Sequence, residues 1–153
     1  MKLSTKGQYG LKAMYDLALN YGNEPISLKS IAERQEISEY YLEQLMAILR
    51  KAGLVRSVRG AYGGYMLTRD PSEITVGDVL RALEGPIGIV DCVLEQDAIK
   101  CLKYENCISR IVWEKIRDSI IKTIDSITLL DMCNEAKKRN NKSWYIKKLL
   151  INI

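Results

Sequence analysis

Three cysteines, Cys92, Cys101 and Cys107, fall within sixteen residues of a chain that contains no histidine. Thiolates are soft metal donors and strong nucleophiles, so the trio points to a metal site, an iron-sulfur cluster or a thiol switch. Spacing helps to separate these. Structural zinc favours closely paired Cys-x-x-Cys ligands in sets of four, whereas here eight and then five residues separate three ligands, which places zinc second. A catalytic oxidoreductase would show Cys-x-x-Cys, which is absent, while a thiol-disulfide switch needs only two of the three and stays open. Thiolates spread along a loop suit an iron-sulfur cluster, whose irons accept a non-cysteine fourth ligand. Oxygen donors lie nearby in Asp91, Glu95, Asp97, Tyr104 and Glu105. The bland alternative is three packed thiols, because free cysteine often behaves as a small apolar residue. Cys133 reads that way, in a later helix that Thr128 and Asp131 start.

The rest of the chain must hold that loop. At 153 residues, 47% apolar and 27% charged, it is sized for one globular domain with an extension. No apolar run approaches the ~18 residues of a membrane span. The opening Met1-Lys2-Leu3-Ser4-Thr5-Lys6 lacks the apolar core of a secretory signal, so a cytoplasmic location without membrane contact is expected. Thiols are kept reduced there, which disfavours a structural disulfide framework. The net charge of +4 divides into +4 over residues 1–69, −5 over 70–133 and +5 over 134–153. A basic front end can meet phosphate, and an acidic middle is better suited to self-association or another ligand.

Helix punctuation organises the front end. Ser4 or Thr5 can cap a helix whose Leu11, Met14, Leu17, Ala18 and Tyr21 share a face, with Gly22 to end it. Ser27 caps a short helix bearing Leu28, Ile31 and Ala32, and Ser38 caps a longer one ending near Gly53. Two helices joined so tightly predict a helix-turn-helix, in which Glu36 would take a left-handed conformation at a cost of about 1 kcal/mol. On the second helix Leu42, Leu45, Met46 and Leu49 form a core face. Opposite them lie Tyr40, Glu43, Gln44, Ala47 and Lys51, with amide and carboxylate groups for base edges and a cation for phosphate. A solvated face is the plain alternative.

Next, the segments 54–59 and 65–68 read as strands flanking the glycine-rich Gly60 to Gly64, a β-hairpin that placed here makes a wing. Arg56, Arg59 and Arg69 are then positioned for the DNA backbone or a narrow minor groove. A nucleotide-binding loop is disfavoured, since no Gly-Lys-Ser/Thr follows and no helix begins there. Downstream, Thr75 with Asp78 predicts a capped helix bearing Val76, Val79, Leu80 and Leu83, ended by Gly85. The stretch from Pro86 to Cys107 lacks periodicity, and a loop of that length in a small domain is usually functional. After it, Ile108, Ile111, Val112, Ile116, Ile120, Ile124 and Ile127 recur at helical spacing.

Several stretches together resemble the IscR, NsrR and CymR family of bacterial winged-helix regulators, from Met1 to about residue 135. They are Lys2-Leu3-Ser4-Thr5-Lys6-Gly7-Gln8-Tyr9-Gly10, Ile37-Ser38-Glu39-Tyr40-Tyr41-Leu42-Glu43-Gln44-Leu45, Leu54-Val55-Arg56-Ser57-Val58-Arg59-Gly60 with Gly63-Gly64-Tyr65, Val76-Gly77-Asp78-Val79, and Trp113. The resemblance implies a non-enzymatic homodimer that represses transcription from a two-fold symmetric double-stranded DNA operator. Its recognition helix at Ser38 to Lys51 would read the major groove through Glu43 and Gln44, with Arg59 in the minor groove. Ser38, Tyr40, Lys51 and Arg56 complete the expected contact set. The long helix would pair with its symmetry mate.

Cluster-binding members place three cysteines in this loop, so the resemblance, taken as closest to its IscR-like members, implies an iron-sulfur cluster on Cys92, Cys101 and Cys107. [2Fe-2S] is the first expectation and [4Fe-4S] the second. The fourth ligand does not carry over: Arg110 stands where one branch has histidine, and Gln8 where another uses an acid from the partner subunit. A cluster-free member acting through a thiol switch or a partner protein in cysteine and sulfur metabolism is the alternative.

The expected organisation is mainly α with a small β-hairpin wing, a winged helix-turn-helix plus a long dimerisation helix. Residues 1–84 would bind DNA, 85–107 form the sensor loop, 108–136 carry the dimerisation helix and a following short helix, and 137–153 form a basic tail.

Overall fold

The computed structural model describes residues 2–96, 98–99 and 101–151, with 144–149 and 151 described by backbone alone. Among these residues, six helices accompany one two-stranded antiparallel sheet. The helices are α1 (Thr5–Leu19), α2 (Leu28–Gln35), α3 (Glu39–Lys51), α4 (Val76–Glu84), α5 (Ile108–Ser126) and α6 (Leu129–Ile151), and the strands are β1 (Val55–Val58) and β2 (Gly64–Leu67). The mainly α fold with a small β wing is as expected.

Local caps set most helix starts. Ser27 accepts the Ser30 amide and Ser38 the Tyr41 amide, each satisfying an N–H that the helix itself cannot. Thr75 and Asp78 form a reciprocal capping box at 2.9 and 3.0 Å, and Thr128 and Asp131 repeat it at 2.8 and 3.1 Å. α1 differs. Ser4 occupies its N-cap position, but the Ser4 hydroxyl donates to Glu84 at the end of α4, and the same carboxylate oxygen accepts the Gly7 amide at 3.0 Å. A carboxylate from a distant helix thus takes the place of the local cap, at a helix end whose dipole favours negative charge.

α1, α2, α3 and α4 bury one apolar cluster, with Met14, Ile31, Leu42, Leu45, Met46, Leu49, Ile74 and Val79 sealed from solvent. Each such side chain contributes about 2 kcal/mol of transfer free energy. Asp16 of α1 is the buried charge among the described residues. It accepts from Arg34 Nε at 2.9 Å, Arg34 Nη2 at 2.7 Å and Gln35 Nε2 at 3.0 Å, which ties α1 to α2.

The turn between α2 and α3 passes through Glu36 at φ 55°, the left-handed conformation expected of it. Glu36→Gly removes the Cβ clash and is expected to raise stability by about 1 kcal/mol. The urea midpoint should rise with an unchanged slope.

The corner between α5 and α6 is stitched to the strand-like segment before α4. The Val76 amide donates to the Ile127 carbonyl at 2.8 Å and the Leu129 amide to Ile74 at 2.9 Å. Leu129 and Cys133 therefore enter the core, where burial pushes the Cys133 thiol up from its ordinary pKa, consistent with a packed thiol. α6 then runs unbroken past residue 137 to Ile151, so the basic Lys137, Lys138 and Arg139 are helical and exposed. The side chains of Trp144 to Leu149 lie outside the described residues.

Candidate nucleic-acid interface

The buried face of α3 fixes what the opposite face presents. With Leu42, Leu45, Met46 and Leu49 inward, Glu43, Gln44, Ala47 and Lys51 are exposed, and Tyr40 is 75% exposed. The Ser38 hydroxyl already accepts the Tyr41 amide at 3.3 Å, which leaves its own proton to donate. Arg50, which the sequence reading passed over, is exposed in the last turn and reaches Ser57 Oγ at 3.4 Å. Its position beside Lys51 at a basic helix end was the available signal.

The hairpin stands beside this face. Its register pairs Val55 with Leu67, Arg56 with Met66, Ser57 with Tyr65 and Val58 with Gly64. Val55 and Leu67 anchor it in the core, while Arg56 and Arg59 are exposed and Tyr62 at the tip is 92% exposed. Tyr65 also exchanges backbone hydrogen bonds with Ile26 at 3.1 and 2.8 Å, so the loop before α2 acts as a third strand at one point. Only glycine fits at position 64, because a Cβ there would collide with the Ile26 carbonyl oxygen. Arg69 does not join the wing arginines. Although exposed, it is engaged away from the hairpin, donating to the Glu73 carbonyl at 3.4 Å and lying 3.8 Å from Asp78.

The segment from Gly85 to Cys107 contains two short 3-10 turns, Asp91–Val93 and Tyr104–Asn106. Its anchor is Glu95. Arg81 of α4 grips Glu95 at 2.6 and 2.9 Å and, with its other edge, Asp125 of α5 at 2.6 and 2.9 Å. Glu95 also accepts the Ile87 amide at 3.0 Å. Gly77 makes room, since a Cβ there would run into Asp125. The hydrogen bonds Arg81 donates to Asp125 and then to Glu95 push its pKa above the ordinary value, and Arg81 holds both carboxyls below theirs. Val93 is buried, and its carbonyl accepts from Arg117 at 3.1 Å. This network joins α4, the loop and α5, and no sequence motif announced it.

The iron-sulfur expectation does not survive this arrangement. Cys92 and Cys107 are half-buried and Cys101 is exposed, all three as free thiols. Among the described residues no three Cys, Asp or Glu side chains converge into a set able to hold a metal ion. Of the nearby oxygen donors, Glu95 is committed to Arg81 and the Ile87 amide, and Gln8, where another branch has an acid, donates to the Leu3 carbonyl at 2.9 Å. Arg110, at the branch's histidine position, packs over the Tyr104 ring at 4.1 Å and pairs with Glu114 at 2.9 Å. Asp97 lies outside the described residues. Residue spacing could not reveal that Glu95 and Val93 fold the loop toward α4 and α5 rather than around a common centre. The assignment of Cys92, Cys101 and Cys107 to a [2Fe-2S] or [4Fe-4S] cluster is therefore withdrawn.

None of the nineteen residues of α5 is buried. Ile108 is 76% exposed, and Ile111 and Val112 are exposed beside it. Among the described residues no helix is long and apolar enough to cross a membrane.

Comparison with known proteins matches residues 3–135 to the Rrf2 family, described as iron-dependent transcriptional regulators. The transcriptional regulator CymR of Bacillus subtilis is 48% identical over 88% of this chain and 91% of its own length. Its solved structure, described as that of the global cysteine regulator, superposes with a TM-score of 0.76, covering 88% of this chain and 98% of that one. T. potens IscR is 52% identical, with a TM-score of 0.75 over 91% of this chain and 90% of its own. The oxidized form of Staphylococcus aureus CymR is 43% identical, with a TM-score of 0.70 over 87% and 96%. The likeness is thus shared between CymR and IscR proteins and does not lean to the latter as the sequence reading had it.

Proposed function

The chain belongs to the Rrf2 family of DNA-binding transcriptional regulators, and from that premise we propose that it is a cluster-free member controlled by its loop thiols. It acts as a homodimeric repressor on a two-fold symmetric operator in genes of cysteine and sulfur metabolism. Residues 1–84 bind DNA, 85–107 sense, α5 with the start of α6 in 108–136 pairs the protomers, and 137–153 add positive charge. The observation that carries DNA binding is the exposed Tyr40, Glu43, Gln44 and Lys51 face of α3 beside exposed Arg56 and Arg59. The unburied isoleucine stripe of α5 supports pairing between protomers. The exposed Cys101 and half-buried Cys92 and Cys107 support a thiol signal, as does the likeness to a CymR solved in an oxidized form.

In the switch, hydrogen peroxide takes two electrons and two protons from two loop thiols. One S–S bond forms, the O–O bond breaks and two waters leave. Strain on the loop then passes through Glu95 and Arg81 to α4 and the DNA-binding unit.

Selection from a random duplex pool should return an inverted repeat with half-sites about one helical turn apart. Glu43→Ala should shift base preference at one position by about 1–3 kcal/mol, while Arg59→Ala weakens binding to the selected site. Equal losses on selected and random DNA would remove Glu43 from sequence readout. Replacing Cys92, Cys101 and Cys107 by serine should abolish the change in DNA affinity that peroxide causes in the parent. A variant that responds like the parent refutes the thiol switch, and a parent that responds only when cell extract is added moves the signal to a partner protein.

A further inference from the structure

A cluster of hydroxyls and cations lies beside the exposed face of α3, on the neighbouring helix α1. Thr5 Oγ1 at the start of α1 is 3.2 Å from the Tyr41 hydroxyl in the first turn of α3. The Tyr9 ring meets Tyr41 edge-on, with centroids 6.0 Å apart and planes at 86°, and holds it in place. Lys12 Nζ lies 5.3 Å from the centre of the Tyr9 ring. Thr5, Tyr9 and Lys12 are four and three residues apart, so they share one face of α1, and that face is turned to α3.

We propose that Thr5, Lys12 and Tyr41 form a phosphate clamp, a second DNA contact gripping the backbone next to the groove that α3 enters. The inference rests on the reading of α3 as the recognition helix. In helix-turn-helix proteins the N-terminal residues of that helix lie closest to the bases, so groups packed around its first turn lie over the flanking strand. Hydroxyls and ammonium groups are the donors that phosphates take. Local charge agrees. The first turn of α1 contains no acid, and Lys2 and Lys6 are exposed around it. Glu84 is engaged by Ser4 and Gly7, on the face of α1 that packs against α4. Glu39 lies two residues before Tyr41, a spacing that points the two side chains different ways around α3.

The test measures binding of the full chain to its selected duplex and to a random duplex of equal length across a series of salt concentrations. Lys12→Gln should lower the slope of log K against log[salt] by about 1 and weaken both duplexes by the same factor. Tyr41→Phe and Thr5→Val should each weaken both duplexes severalfold without altering base preference. Tyr41→Phe keeps the ring contact with Tyr9, and an unchanged urea midpoint separates lost contact from lost fold. Unchanged slopes and affinities in all three variants, with the parent binding normally, overturn the clamp alone. A loss confined to the selected duplex also overturns it, because phosphates carry no sequence. A parent that binds no duplex sinks the recognition reading and the clamp with it.

Discussion

Arg81→Met should unfold at lower denaturant than the parent, by about 2 kcal/mol, and should lose the proposed response of DNA affinity to thiol state. Arg81 is the common partner of Glu95 and Asp125, whose charges already oppose one another. Breaking a buried ion pair by removing one member costs about 3–5 kcal/mol. The three side chains here are 28%, 19% and 40% exposed, so solvent screening reduces that figure. The pH dependence should also change sign. Both carboxyls have folded pKa values below their ordinary ones, so their contribution in the parent is complete above about pH 4 and is lost as pH falls through the lowered folded values. Without Arg81 the two carboxylates repel each other and their folded values rise, so the deficit of the variant should shrink on acidification. Urea midpoints for both proteins at pH 7 and near pH 4 decide the matter. A constant deficit at both values would mean the network contributes packing rather than charge.

Arg34→Met should cost about 3 kcal/mol, the largest single-residue loss of stability expected. Asp16 is 1% exposed, and Arg34 supplies both of its charged hydrogen bonds; after the substitution only Gln35 remains to solvate a buried carboxylate. Adding Asp16→Asn should recover part of the loss, because a neutral amide is far cheaper to bury than an unpaired charge. Thermal unfolding of the single and double variants reads this directly. A single-variant loss below about 1 kcal/mol would mean that water reaches Asp16 once the arginine is gone.

The parts of the fold that were legible in the sequence are the ones written locally. Ser27, Ser38, Thr75 with Asp78 and Thr128 with Asp131 are capping signals within three residues of their partners, and each opens the helix expected of it. Glu36 was likewise readable, because it stands where helix-turn-helix turns often use glycine. The exposed face of α3 followed from its buried one. The missed contacts that organise the fold join residues distant in sequence. Ser4 and Gly7 meet Glu84, Asp16 meets Arg34, and Arg81 meets both Glu95 and Asp125. An arginine that will anchor a loop looks the same in sequence as one that will face water. The cysteines misled for a related reason: their spacing limits how far apart they can be but does not require that they meet.

The hydrogen-bonded stitch from Ile74 and Val76 to the α5–α6 corner gives α5 the geometry of a lever. Its C-terminal end is hinged on the same backbone that starts α4, and at nineteen residues it extends about 28 Å from that pivot. Cys107 sits at the far end. A tilt of about 5° at the hinge would carry that end through roughly 2.5 Å over such a length. Run in reverse, a displacement of a few ångströms near Cys107 reaches the α4 end as a rotation of a few degrees. Two protomers joined along their levers would turn that rotation into a change in the distance between their recognition helices, while the fold within each protomer stayed as it is.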